Sequence, residues 1–553
     1  MCSGMIRASG FAPSNTITVI RYTTVVRKTR GGMMRSWITN VPLSVSLLNH
    51  FCSSFIFPIS FRRATFTGLS RKQTMSASIE DEKVLVPPGK HYPSYSLQPL
   101  EQAAAWASTP GTYFKNLVEE NDGAPVFKCH PGIASIAFTD HSTAEWFFNQ
   151  PETVLDRQDG PYFGPLKCSR EYLNGSLPAL VTNIPEKHSA VRAYTLKILQ
   201  ERLGSTQTAI SHASDKFYSN LLTNGLGEYT GVYECFLQQS YAFMLEWILA
   251  TGEEGGQELP PFKDFLNVNP IDISVLLNLE ADTPVANVAG SVAQLFAGVS
   301  HEQKASIEVL LESIRCSKMF PKFVEMQKDF NIDITNIENS FMFNTGFQSS
   351  AALAKNMEYC VGSLSANRDF LEELRAELDG QEINLRTVGD VEKFPLLDSF
   401  HWEILRIFPA PPFFFKEAKK DLVIPTNSGK KYQIKKGEML HCYHPLVQID
   451  PAAFGPDAKE FKPKRFVGNP DLKNKVFAYA FPKPSDPSPK DGMPWGCAVH
   501  TLGVLDAILK VFYARWVQEA DWEMTEPAII DHVEYLGVVG PTGMSFAKVT
   551  PRK

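Results

Sequence analysis

Between Phe481 and Cys497 the chain carries Pro482, Pro484, Pro487, Pro489, Gly492, Pro494 and Gly496, and no other stretch limits the fold as tightly. Prolines at this density lock φ and remove backbone donors, so the run forms neither a helix nor a central strand. The pattern then reverses. Leu502, Leu505, Ile508, Leu509, Phe512 and Trp516 fall on one stripe, which predicts an amphipathic helix from about Leu502. Cys497 is therefore expected at a loop-to-helix junction. There, unpaired amides and the positive end of the helix dipole favour the thiolate, the form that binds metal.

From about Val84 onward no low-complexity tract, short repeat or linker interrupts the 553-residue chain. This predicts one catalytic domain over residues 75–553, larger than the roughly 250 residues usual for one core. A helical fold built around a bound cofactor reaches that size. A net charge of -6 leaves no basic excess for a phosphate backbone, which excludes a nucleic-acid partner. The nine cysteines are scattered without a C-x-x-C pair and fit reduced, intracellular thiols.

The first acidic residue is Glu80, whereas Arg7, Arg21, Arg27, Lys28, Arg30, Arg35, Arg62, Arg63, Arg71 and Lys72 precede it. Two readings of residues 1–74 stay open: a mitochondrial or plastid transit peptide, or an over-extended gene model ahead of a start at Met75. Under the second, the protein is cytoplasmic or peripheral to membranes. The uncharged run from Val41 to Ser60 is broken by Pro42, Asn49 and Pro58 and makes a poor membrane span.

Helical spacing dominates the rest. Ile334, Ile337 and Phe341 lead into Asn344, Thr345 and Gly346 and an Ala-rich stretch to Ala354, a long buried helix with a polar patch halfway along. Leu397, Phe400, Ile404 and Ile407 form a second helix, opened by Pro395 and stopped by Pro409, with Glu403 and Arg406 on one face. Strands are expected at Leu422 to Ile424 and Tyr432 to Ile434, and Gly437 turns the chain into Met439 and Leu440. The predicted fold is mainly α with a minor β part.

Glu403-x-x-Arg406, then Pro409, Pro411 and Pro412, then Phe461-Lys462-Pro463-Lys464-Arg465-Phe466 and finally Cys497 form an ordered set. This set resembles the signature of the cytochrome P450 superfamily. The resemblance implies the cytochrome P450 fold, haem b with Cys497 as the axial iron ligand, and a structural triad of Glu403, Arg406 and Arg465. In the long central helix the sequence reads Phe343-Asn344-Thr345-Gly346-Phe347, without the acid that precedes Thr in oxygen-activating members. Phe163 to Gly175, the Pro185-Glu186-Lys187-His188 run leading to Arg192, and Lys436 to Leu440 are similar to the plant-type branch that metabolises hydroperoxides. Trp495 and Val499 depart from the family pattern around the cysteine.

The implied substrate is a polyunsaturated fatty-acid hydroperoxide, whose O–O bond is already activated, so no reductase is expected. O–O cleavage gives an alkoxyl radical that closes onto the neighbouring double bond. Return of the hydroxyl then makes an epoxyalcohol, dehydration an allene oxide, and chain scission an aldehyde. Epoxyalcohol synthase is the first expectation, with allene oxide synthase and hydroperoxide lyase as alternatives. A reductase-dependent monooxygenase and a non-catalytic lipid-binding relative are more distant ones. Asn344, next to Thr345, is expected to orient the peroxide. By resemblance, Phe163 directs the product partition and His188 and Arg192 face the haem propionates. Peripheral membrane association is compatible with the sequence.

Overall fold

A computed structural model describes residues 84–91, 109–131, 134–151, 153–156, 185–227, 230–251, 260–268, 301–330, 349–409, 413–478, 502–526 and 543–552, with isolated positions that include Trp106, Cys497 and Val499. The chain divides into Met1–Ile79 and Glu80–Lys553. The first unit contains all of segment 1–74 and lies outside the described residues, as does the boundary expected at residue 74.

The second unit is mainly α with a minor β part. Its longer described helices are α1 (Pro110–Glu120), α2 (His141–Phe148), α3 (Pro185–Arg202), α4 (Thr206–Asn224), α5 (Val232–Leu249), α6 (Phe262–Val268), α7 (His301–Arg315), α8 (Phe320–Gln327), α9 (Ser350–Ala366), α10 (Arg368–Leu378), α11 (Pro395–Ile407) and α12 (Leu505–Glu519). Every residue of α9 from Leu353 to Leu364 is buried, as a helix in the middle of a large core must be. Helices α5, α11 and α12 pack around it. Phe236, Phe400 and Phe512 are fully buried in this cluster, each contributing about 1.5–3 kcal/mol through removal from water.

The strands are β1 (Val84–Leu85), β2 (Val126–Cys129), β3 (Ser135–Phe138), β4 (Leu155–Asp156), β5 (Phe413–Ala418), β6 (Leu422–Pro425), β7 (Lys431–Ile434), β8 (Met439–Tyr443), β9 (Ala520–Met524) and β10 (Phe546–Pro551). They form sheets ordered β2-β3-β8-β5-β4, β1-β7-β6 and β10-β9. β8 lies parallel to β3, with Ser135 opposite Met439, and antiparallel to β5, with Phe413 opposite Tyr443. β6, β7 and β8 occupy the stretches expected to be strands, and Gly437, at φ 87°, makes the turn into β8.

α11 matches its sequence pattern, yet its cap comes from elsewhere. Phe394 provides no side-chain cap; instead the Glu377 carboxylate of α10 accepts hydrogen bonds from the N–H groups of Leu396 and Leu397 at 2.8 and 2.9 Å. The last helix differs from expectation. α12 begins at Leu505 rather than near Leu502, because Gly503 takes φ 74°, a left-handed conformation that ends any helical run through it. The stripe read from the sequence begins earlier because Leu502 packs on the same core from outside the helix.

Candidate functional site

The C-terminal half of α11 carries a fully buried ion pair. Arg406 donates from Nε to Glu403 Oε2 and from Nη2 to Glu403 Oε1, each at 2.7 Å, in a two-pronged pairing. The three remaining guanidinium protons go to backbone carbonyls: Nη1 to Gln448 at 2.9 Å and Ala458 at 2.6 Å, and Nη2 to Glu460 at 3.0 Å. All five donors of Arg406 are thus engaged, which is what makes a buried guanidinium tolerable.

Arg465 joins the same carboxylate, with Nε 3.3 Å from Glu403 Oε1. Its other donors reach the Phe454, Asp457 and Glu460 carbonyls and the Asp457 carboxylate, the last at 2.7 Å. Hydrogen bonds from Lys462 and Arg465 hold the Asp457 carboxyl well below the usual range. The backbone N–H of Lys462 also donates to Glu403, at 2.7 Å. Two arginines and two carboxylates therefore stitch α11 to the segment from Phe454 to Arg465.

Three further contacts involve side chains that were not singled out from the sequence. Gln448, fully buried, donates to the Arg406 carbonyl at 2.9 Å and accepts from the N–H of Phe477 at 2.7 Å. Asp398 pairs with Lys510 at 2.6 Å and with Lys473. Burial raises its pKa, but the two ammonium groups more than offset that and hold it below the usual range. His401 Nε2 lies 2.9 Å from a carboxylate oxygen of Asp506. Sequence spacing gave no signal for any of them, since their partners are backbone groups or residues far along the chain.

Cys497 is the one partly buried cysteine among the described residues. Cys129, Cys235, Cys360 and Cys442 are sealed in the interior, where burial pushes their thiols up, Cys235 to about 12. Those thiols are poor metal donors because the thiolate is the ligating form. Cys497 and Val499 instead lie against the edge of the main core. A thiol so placed can meet a large apolar group docked there, and a single such donor fits haem. Cys497 is itself outside any helix and Val499, two residues on, is helical, so the thiol stands just ahead of helical backbone as the sequence predicts. α12, by contrast, starts eight residues after it, and its dipole, which fades within the first turn, does not act directly on the thiol.

Phe163, Asn344 and Thr345 lie outside the described residues. His188 and Arg192 fall within α3, but their side chains lie outside the described set. Among the described residues, no helix is long and apolar enough to cross a membrane.

The cytochrome P450 family model matches residues 300–481. The chain is 64% identical over 475 residues to an epoxyalcohol synthase of Ectocarpus siliculosus, covering 86% of this chain and 100% of that protein. It is 53% identical over 489 residues to a mitochondrial hydroperoxide bicyclase of the same organism, covering 88% of this chain and 95% of the relative. A mitochondrial hydroperoxide bicyclase of Plasmodiophora brassicae is 29% identical over 463 residues, covering 82% and 81%.

Proposed function

The chain belongs to the cytochrome P450 family, and on that premise we propose that it rearranges polyunsaturated fatty-acid hydroperoxides to epoxyalcohols, with no external oxygen or reductant. The observation that carries this reading is the 64% identity over 475 residues, 86% of this chain, with the whole of the epoxyalcohol synthase of Ectocarpus siliculosus. Haem is its cofactor. When bound, it supplies a ferric iron that cleaves the peroxide O–O bond without added electrons.

The chain's own residues hold and orient the reactants. Cys497 provides the thiolate ligand, and Glu403, Arg406 and Arg465 lock the segment from Phe454 to Arg465 against α11. His188 and Arg192 pair with the propionates. Asn344, beside Thr345, presents an amide that orients the peroxide, and Phe163 shapes the pocket that decides between rebound, dehydration and scission. The absence of an acid before Thr345 supports a substrate that needs no proton delivery to dioxygen. The product is an isomer of the substrate: the O–O bond and one C=C π bond are lost, and two C–O bonds form.

The acid-free, arginine-bearing segment 1–74 supports delivery to an organelle, and two of the relatives are named mitochondrial. Imaging of the full chain fused at its C-terminus to a fluorescent protein tests this; diffuse cytosolic signal contradicts it.

The test of function is incubation of purified holoprotein with a fatty-acid hydroperoxide under argon, without NADPH or a reductase. Rapid consumption with an epoxyalcohol as the main product is expected. A strict requirement for NADPH would replace this reading with that of a monooxygenase. In the same assay Asn344→Ala is expected to keep its haem spectrum and lose on the order of 100-fold in turnover, about 3 kcal/mol for one preorganised donor. Unchanged turnover would reduce Asn344 to a helix-packing residue.

A further inference from the structure

Helix α11 touches the chain on both sides of the stretch that carries Cys497. On the near side, Gln448 ties the Phe477 N–H to the Arg406 carbonyl at the end of α11. On the far side, His401 reaches Asp506 in the first turn of α12, and Asp398, three residues earlier on the same helix, takes Lys510 one turn further along α12. Asp506 is nine residues beyond Cys497.

The His401 contact is directional, and its surroundings favour one tautomer. The ring is fully buried, Nε2 faces the carboxylate, and Nδ1 has no hydrogen-bond partner among the described residues. A proton on Nδ1 alone would orphan a buried donor and turn the Nε2 lone pair toward Asp506, so the neutral ring carries its proton on Nε2 and donates it. Burial lowers the imidazole pKa, in keeping with a neutral ring.

Apolar contacts hold this region to the core: Cys497, Val499, Leu502, Val504 and Leu505 all pack on the main cluster. Such packing fixes depth but has little directional preference, so it does not fix how far the segment slides along the core surface. Directional constraint comes from the Asp398–Lys510 pair and, nearer the cysteine, from the His401 hydrogen bond to a carboxylate at the very start of α12.

The geometry points to His401 as a positioning residue that, through Asp506, sets where the Cys497 thiolate stands beside the haem. This rests on Cys497 being the haem ligand. With the Asp398–Lys510 pair, the His401 bond adds to the buried triad a restraint from the same helix on the chain after the cysteine rather than on the segment from Phe454 to Arg465, and it is the one nearer to Cys497.

The readout is the ratio of thiolate-type to thiol-type ferrous carbonyl bands in haem-loaded protein. His401→Phe keeps a buried ring and loses the donor, and should lower that ratio on the order of tenfold, the effect of losing one charge-assisted hydrogen bond. His401→Gln places an amide N–H at the reach of Nε2 and should restore the ratio. Asp506→Ala, at a side chain 28% exposed, should reproduce the His401→Phe ratio even if His401→Phe does not fold, and the double variant should be no worse than either single one. Parental ratios in Asp506→Ala and in every folded His401 variant, with only thermal stability reduced, would overturn the inference and leave His401 a core residue. Failure of His401→Gln to recover more than His401→Phe would overturn it as well. A thiolate-type band that persists in Cys497→Ser would show instead that the ligand assignment beneath it is wrong.

Discussion

Arg406→Ala is expected to yield almost no soluble, haem-loaded protein. The substitution removes five hydrogen bonds at once and leaves the fully buried Glu403 carboxylate with one long contact to Arg465 and the Lys462 N–H. Breaking one side of a buried pair costs about 3–5 kcal/mol. That is a large part of the total stability of a typical domain, about 5–15 kcal/mol. The carbonyls of Gln448 and Ala458 lose their donor as well and that of Glu460 keeps only Arg465, and these bonds hold the segment up to Arg465 against α11. Arg406→Lys should recover little, because an ammonium cannot span two carboxylate oxygens and three carbonyls. Haem content per purified chain is the measurement, and near-normal loading of Arg406→Ala would contradict the role given to this cluster.

Cys497→Ser is expected to abolish both the thiolate-type ferrous carbonyl spectrum and hydroperoxide turnover. A hydroxyl is far harder to ionise than a thiol and gives iron no comparable anionic donor. Because Cys497 is only partly buried at the core edge, exchanging sulfur for oxygen should leave the fold intact. Retained helical circular dichroism with a lost thiolate band is therefore the expected combination. A thiolate band in the variant would move the ligand to another cysteine.

The legible parts of the chain are those whose constraints lie within a few residues. α11 declared itself through Leu397, Phe400, Ile404 and Ile407 between Pro395 and Pro409, and β6 and β7 through short β-prone runs. β2 and β3 did not, because nearly every residue in them is buried; with no alternation to read, they take their place from pairing with one another and with β8. The start of α12 was misplaced because a glycine's φ is not encoded in hydrophobic spacing. Glu403, Arg406 and Arg465 were legible as charged residues in a recognisable order. Gln448 was not, since it binds backbone groups that any residue presents. His401 was not either, because its partner lies 105 positions away and nothing nearby marks the pair.

The most direct test of the central claim is to give the holoprotein a fatty-acid hydroperoxide carrying heavy oxygen at both peroxide positions, under argon in ordinary water. Rearrangement within one molecule predicts an epoxyalcohol that keeps both labels, one in the epoxide ring and one in the hydroxyl. A product with neither label retained, its oxygens drawn from water or from readmitted air, would contradict it.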